Sequence, residues 1–244
     1  MLVPSLDEYI DTVDLGNGLI IAQQSIGVAH DTKGNWGNAD GILGLGPVGL
    51  TKGSLPNESG RTIPTINNNL HSQGTIHREI ETVNGEPEHA GPITYTPIAS
   101  YHPSLNYWCF EQSISYGSSM IMSSAGIVDM TYQSATGGTL DAAASLLLIS
   151  SAQYAALENL NFNIAGETFS LTPNAQIWPR VLNTYIGGSS SAIYLVVADI
   201  GMPSGTGYEF INGYLFTERF LTVLDSSRSR IGFATTSYTD VTTN

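Results

Sequence analysis

The chain has 244 residues, 41% of them hydrophobic and 12% charged, with 26 glycines and 11 prolines. That balance excludes a disordered chain and fits one large β-rich domain or two modest lobes, with many turns and short strands. Twenty-one acidic residues against eight Lys+Arg give a net charge of −13. Such a surface repels phosphate backbones, so no nucleic-acid partner is expected, and it suits work at low pH, where few basic groups build up self-repulsion.

The single cysteine, Cys109, excludes an intramolecular disulfide and a cysteine-based metal site, and reads as a buried or half-buried small hydrophobe. No apolar run approaches a membrane span, so no membrane partner is expected. Met1-Leu2-Val3-Pro4-Ser5-Leu6-Asp7-Glu8 has neither a basic nor an apolar leader region, so these residues do not read as a signal peptide.

Tyr9-Ile10-Asp11-Thr12-Val13 alternates as a strand, Gly16-Asn17-Gly18 is a turn, and Leu19 to Val28 is a second β-like run. In Ala39-Asp40-Gly41-Ile42-Leu43-Gly44-Leu45-Gly46-Pro47 glycines alternate with aliphatics, which predicts backbone packed closely on backbone. Residues 47–64 read as a loop and contain Asn57-Glu58-Ser59, the pattern of a glycosylation acceptor at Asn57. Thr65 caps a short predicted helix from Ile66 to Ser72, ended by Gly74. The charged, irregular stretch 77–92 is taken as a boundary, giving a first region 1–92 and a second 93–244.

In the second region strands are predicted at Ile93–Ile98, Tyr107–Phe110, Ser113–Tyr116 and Ser124–Asp129. Residues 132–145 are small, polar and rich in Gly and Ala, like a surface loop. Leu146–Ile149 reads as a buried strand. Ser150 or Ser151 caps a helix through Leu160, with Tyr154, Leu157 and Leu160 at helical spacing. Strands follow at 162–171, 193–198, 208–215, 220–224 and 230–236, with Ser226-Ser227-Arg228-Ser229 as a hairpin turn.

Several of these pieces together resemble pepsin-like aspartic peptidases, in particular basidiomycete secreted acid proteases. Asp40-Gly41-Ile42-Leu43-Gly44-Leu45-Gly46 is similar to the family's N-lobe crossing segment, an apolar-apolar-Gly stretch under the catalytic loop. Ile63-Pro64-Thr65 through Gln73-Gly74-Thr75-Ile76 resembles the helix after it. Ala125-Gly126-Ile127-Val128-Asp129 resembles the strand that delivers the second catalytic aspartate. Phe210-Ile211-Asn212-Gly213-Tyr214-Leu215-Phe216 resembles the C-lobe crossing segment, and Phe220 to Asp225 with Arg230-Ile231-Gly232-Phe233-Ala234 the terminal hairpin.

The resemblance implies a mainly β, pepsin-like bilobal fold: a truncated N-lobe in 1–92 and a nearly complete C-lobe in 93–244. It implies acid-pH hydrolysis of peptide bonds in a polypeptide substrate by two aspartates and an activated water, without metal or organic cofactor, in a secreted protein. Asp129 is then one half of the dyad, and Gly44 and Gly213 lie in its supporting loops. The first Asp-Thr/Ser-Gly and the flap find no counterpart. Asp11-Thr12 lies mid-strand before Val13, and Asp31-Thr32 lacks an apolar strand to deliver it. Asp129 is followed by Met130-Thr131-Tyr132 instead of Thr-Gly-Thr, with Tyr132-Gln133 resuming inside the family's next helix. Clean gaps here and near 77–90 suggest lost stretches, not scattered decay. The chain as written is therefore expected to be inactive, the alternative being a non-catalytic binding or inert remnant.

The histidines His30, His71, His77, His89 and His102 show no metal-binding spacing. Ser189-Ser190-Ser191 lacks a nucleophile elbow. Gly41-x-x-Gly44-x-Gly46 opens no helix, so it is not read as a phosphate loop. Tyr107, Trp108, Trp178 and Tyr185 are read as core or wall residues.

Overall fold

The computed structural model describes residues 6–29, 43–54, 60–74, 80–82, 91–100, 107–123, 129–197 and 210–242. Two compact units separate, Met1–Ile80 with Leu105–Trp108, and Glu81–Ser104 with Cys109–Asn244. Among the described residues no helix is long and apolar enough to cross a membrane.

In the first unit, β1 (Leu6–Asp14) and β2 (Ile20–Ala29) form a long antiparallel hairpin. Gly16, Asn17 and Gly18 all take positive φ at its turn, which explains two glycines there. Helix α1 (Ile66–Ser72) starts after Thr65, whose N–H and hydroxyl both donate to Asn68 Oδ1 at 3.0 and 2.8 Å. It buries Ile66 and Leu70 against Ile21, with Val13 and Leu19 alongside. Such a small apolar cluster is supplemented by polar ties. Buried Gln24 accepts from Asn69 Nδ2 at 3.0 Å and donates to the Pro64 carbonyl at 3.3 Å. The loop expected at 47–64 contains one 3₁₀ turn, Val48–Thr51, pinned where Thr51 Oγ1 accepts the Ile63 N–H at 2.6 Å. Asp11 is exposed in β1, where its Oδ1 accepts the Thr12 N–H at 2.7 Å.

Among the described residues the second unit contains three sheets. The first, in order β10-β9-β5-β6, is built from β5 (Ser113–Tyr116), β6 (Ser119–Ser123), β9 (Leu160–Ile164) and β10 (Glu167–Leu171). The second, β11-β8-β7, comprises β7 (Thr139–Asp141), β8 (Leu146–Ile149) and β11 (Ile193–Leu195). The third, β3-β12-β13-β4, comprises β3 (Ile80–Thr82), at whose first residue the units divide, β4 (Thr94–Pro97), β12 (Phe220–Asp225) and β13 (Arg230–Thr235). All seven phenylalanines of the chain join one connected ring network. Phe233 meets Phe110, Phe169 and Phe216 at 5.0, 5.9 and 5.7 Å between centroids. Phe162 and Phe220 pack on Phe216 at 4.9 Å, and Phe210 on Phe110 at 5.5 Å. Mostly edge-to-face rings suit their quadrupoles and give this unit a continuous core.

Several expectations are corrected. The run 162–171 is two strands, because Ala165 and Gly166 both take positive φ and turn the chain in a two-residue hairpin. The helix capped by Ser150 is α3 (Ser151–Ala155), and stops short of Leu160. Leu160 instead pairs with Leu171 and Tyr116 in the ladder, so tertiary pairing overrides helical spacing. Residues 107–110 form no strand; their bonds are single ties, such as Ala99 N–H to the Cys109 carbonyl at 2.8 Å. The stretch expected as a strand at 208–215 is irregular over 210–213 and then opens α4 (Tyr214–Arg219), which buries Phe216 and Arg219. Tyr107 and Tyr185 are exposed, not core, whereas Trp108 is half-buried and donates its indole N–H to the Leu45 carbonyl at 3.1 Å.

Candidate active site

Asp129 is the first residue of helix α2 (Asp129–Thr136). The strand expected before it, 124–128, and the side chains of Asp129, Met130 and Thr131 lie outside the described residues. So do Asp31, Asn57 and all histidines except His71, which is exposed in the last turn of α1.

The helix takes the place of the surface loop read from composition at 132–136 and agrees with the family resemblance, which puts Tyr132-Gln133 inside a helix. An eight-residue helix is not stable by itself in water. Tyr132 supplies the missing contact: it has no exposed surface, stands edge-on to Tyr116 at 5.5 Å, and donates its hydroxyl to Gln176 Oε1 at 2.8 Å. Gln176 is equally buried, and its Nε2 donates to the Glu158 and Leu171 carbonyls at 2.8 and 2.9 Å. A buried amide with both N–H donors and its carbonyl engaged avoids the desolvation cost of an unmet group. Burial, with Tyr116 nearby, pushes the Tyr132 phenol well up, so it remains a proton donor at any working pH. The helix ends where Gly137 takes φ +67° and its carbonyl accepts Gln153 Nε2 at 2.7 Å.

Gly213 precedes α4, and its carbonyl accepts the Phe216 and Thr217 N–H groups at 3.0 and 3.2 Å. The neighbouring Asn212 is paired with buried Gln112 through two amide–amide bonds, at 3.1 and 3.2 Å. Asp129 and Gly213 share the second unit, and Gly44 belongs to the first. Among the described residues a Cβ at Gly44, as at Gly213, would meet no heavy atom within 4 Å, whereas one at Gly46 would come within 2.9 Å of the Leu50 side chain.

Two further polar centres brace the second unit. Asp141 Oδ1 accepts the Ala143 N–H at 2.8 Å and Oδ2 accepts the Tyr194 hydroxyl at 2.9 Å. The Ala143 N–H, the Tyr194 hydroxyl and the Ala144 N–H together hold that carboxyl below its ordinary range. Asp225, fully buried at the end of β12, accepts from Ser227 Oγ at 2.6 Å and Arg230 Nε at 2.7 Å. Among the described residues no group of three His, Cys, Asp or Glu side chains is placed to hold a metal ion. Tyr132, Gln176 and Gln112 carry no motif that marks them as anchors. For the two glutamines the signal was a lone amide beside apolar neighbours, Ala175 and Ile177 in one case and Phe110 nearby in the other.

No family model matches the chain. Polyporopepsin of Irpex lacteus is 46% identical to it over 271 residues, which cover 97% of this chain and 79% of the relative. The chain belongs to the pepsin-like aspartic peptidase family. The crystal structure of the aspartic proteinase from Irpex lacteus matches the fold with a TM-score of 0.86 at 43% identity, covering 97% of this chain and 79% of that one. Aspartic protease 17 of Caenorhabditis elegans is 26% identical over 253 residues, covering 92% of this chain and 62% of its own length. The mainly β, pepsin-like aspartic peptidase fold expected from the motifs is thus borne out. The family's members are hydrolases of the aspartic endopeptidase class. The 271 aligned positions exceed the 244 residues available, so the alignment to polyporopepsin must open gaps inside this pepsin-like chain.

Proposed function

We propose that Asp129 is one carboxylate of an aspartic endopeptidase dyad that hydrolyses polypeptides at acid pH. The observation that carries this is 46% identity with an aspartic peptidase over nearly the whole chain, joined to the Ala125-Gly126-Ile127-Val128-Asp129 motif. Two carboxylates held close together cannot both ionise, so they share one proton. The ionised member takes a proton from water as that water attacks the peptide carbonyl, and the protonated member donates to the carbonyl oxygen. No metal or organic cofactor enters these steps. We read Met1–Ile80 as the N-lobe portion and the larger unit as the C-lobe, and kinship with a fungal acid protease supports an extracellular location.

Within the 244 residues no Asp-Thr-Gly or Asp-Ser-Gly occurs. A polypeptide of these residues alone therefore presents one carboxylate of the pair and does not cleave. A carboxyl without a second one to share its proton activates water poorly. A second reading, a non-catalytic binding or inert protein, is favoured by one observation: α2 begins at Asp129 itself. Helical backbone then replaces the glycine turn that would aim N–H groups at the carboxylate.

Sequencing the transcripts separates the two readings. Messages with an upstream Asp-Thr/Ser-Gly and Thr-Gly-Thr after Asp129 support the endopeptidase. Intact messages encoding only these residues overturn it and leave the non-catalytic protein.

A further inference from the structure

The crossing segments of the family are apolar-apolar-Gly, yet Asn212 puts an amide where an apolar side chain is expected, in Phe210-Ile211-Asn212-Gly213. A half-buried amide needs partners. Gln112, one hundred residues away, supplies them: its Nε2 donates to Asn212 Oδ1 at 3.1 Å, and Asn212 Nδ2 donates to Gln112 Oε1 at 3.2 Å. Gln112 is 4% exposed. The two amides thus form a closed ring of hydrogen bonds at the entry to β5. Phe110 and Phe210, two residues before each partner, stack edge-on at 5.5 Å beside the same junction. The nearest carboxylate in sequence, Glu111, is exposed.

The geometry assigns Gln112 as a positioning residue: its amide ring with Asn212 fixes the Asn212-Gly213 segment against β5. The segment's role beneath the Asp129 loop rests on the endopeptidase reading; the pair itself does not. Gly213 in turn holds the first turn of α4 through its carbonyl, which accepts the Phe216 and Thr217 N–H groups. An amide pair suits a protein of acid surroundings, because neither partner titrates. A carboxylate at either place would lack the donor that closes the ring at neutral pH.

That last point gives a test whose sign differs from an ordinary carboxylate substitution. In Asn212→Asp the ionised carboxyl still accepts from Gln112 Nε2 but faces Gln112 Oε1 with no proton to give. Protonated, it donates to Oε1 and accepts from Nε2, restoring the ring. Its folded pKa therefore lies above the unfolded value of about 3.9, so the deficit is full at neutral pH and vanishes as pH falls below about 3.9. Denaturant unfolding of the parent and variant is measured in steps from neutral to about pH 3. The expected result is a folded-to-unfolded ratio reduced about 5- to 30-fold at neutral pH and returning to the parent's value in acid. Gln112→Glu, the mirror variant, behaves the same way. Hydrogen exchange at the Phe216 and Thr217 amides accelerates relative to the β12–β13 amides at neutral pH, and that excess disappears in acid.

A double variant, Gln112→Leu with Asn212→Leu, loses far less than the two single changes combined. A deficit that is flat or grows in acid, or single losses that simply add, overturns the proposal. None of these readouts uses proteolysis, so absence of cleavage bears on the endopeptidase reading alone.

Discussion

Replacing Asp225 with Asn isolates the ionic centre that closes the last hairpin. The carboxylate has no exposed surface and accepts from Ser227 Oγ, the Arg228 N–H at 3.1 Å and Arg230 Nε. Arg230 also lies over the Tyr95 ring, 3.5 Å from its centroid, which links β13 to β4. Burial alone would raise the Asp225 pKa; the Ser227 hydroxyl, the Arg230 guanidinium and the Arg228 N–H outweigh it and hold the pKa at about 2, against an ordinary 3.8. At 1.36 kcal/mol per unit, that shift makes the ionised form worth about 2 kcal/mol to the fold, an upper figure because both arginines are partly exposed and screened. The folded pKa is depressed, so the contribution is complete above the unfolded value of about 3.9 and is lost as pH falls toward 2. Denaturant unfolding of the parent and Asp225→Asn over this range reads it directly. The parent's advantage is expected to be about 2 kcal/mol larger at neutral pH than near pH 2, on top of any constant offset from lost neutral hydrogen bonds. An advantage that does not change with pH, or that grows in acid, refutes the argument.

The Tyr132–Gln176 anchor predicts unequal costs for its two members. Tyr132→Phe leaves one buried acceptor, Gln176 Oε1, unmet and is expected to cost about 1–2 kcal/mol, whereas Gln176→Leu strands the Tyr132 hydroxyl and removes a donor from both the Leu171 and the part-buried Glu158 carbonyls and costs about 3 kcal/mol or more, measured by the same unfolding assay. Equal costs would mean the three bonds do not act through Gln176. Gly188→Ala places a Cβ 2.5 Å from the Tyr194 ring, whose hydroxyl is tied to Asp141, so the ring has little freedom to withdraw. A loss of about 1–3 kcal/mol is expected, and an unchanged melting temperature would contradict the contact.

Elements that announce themselves locally were legible in the sequence. Thr65 with Ile66–Ser72 carries its own cap and periodicity, and Leu146–Ile149 its own apolar run; both match the structure residue for residue. The terminal hairpin was equally clear, because Ser226 to Ser229 separates two strongly apolar strands in register from Phe220↔Thr235 to Asp225↔Arg230. Elements created by distant contacts were not. Strand β6 reads Ser-Met-Ile-Met-Ser and gains its identity only by pairing with β5. Helix α2 looks like a small polar loop by composition and was legible only through the family resemblance at Tyr132-Gln133; its anchor, Tyr132 on Gln176, lies 44 residues on. Ala165-Gly166 hid a turn inside an apparently continuous strand because alanine rarely takes the positive φ it adopts there. The family was legible in the motifs: 46% identity with polyporopepsin over 97% of the chain bears out the resemblance, while the role proposed for Asp129 rests on the residues before it. The contacts of Gln112 with Asn212 and of Tyr132 with Gln176 join residues far apart in sequence and leave no local periodicity to detect.

The central claim is that these residues belong to an aspartic endopeptidase lineage but present one carboxylate of the required pair. It is tested most directly by incubating the purified 244-residue chain with denatured haemoglobin at acid pH, with and without pepstatin. No pepstatin-sensitive cleavage is expected from the parent, identical to Asp129→Asn. Pepstatin-sensitive cleavage by the parent that Asp129→Asn abolishes would contradict it.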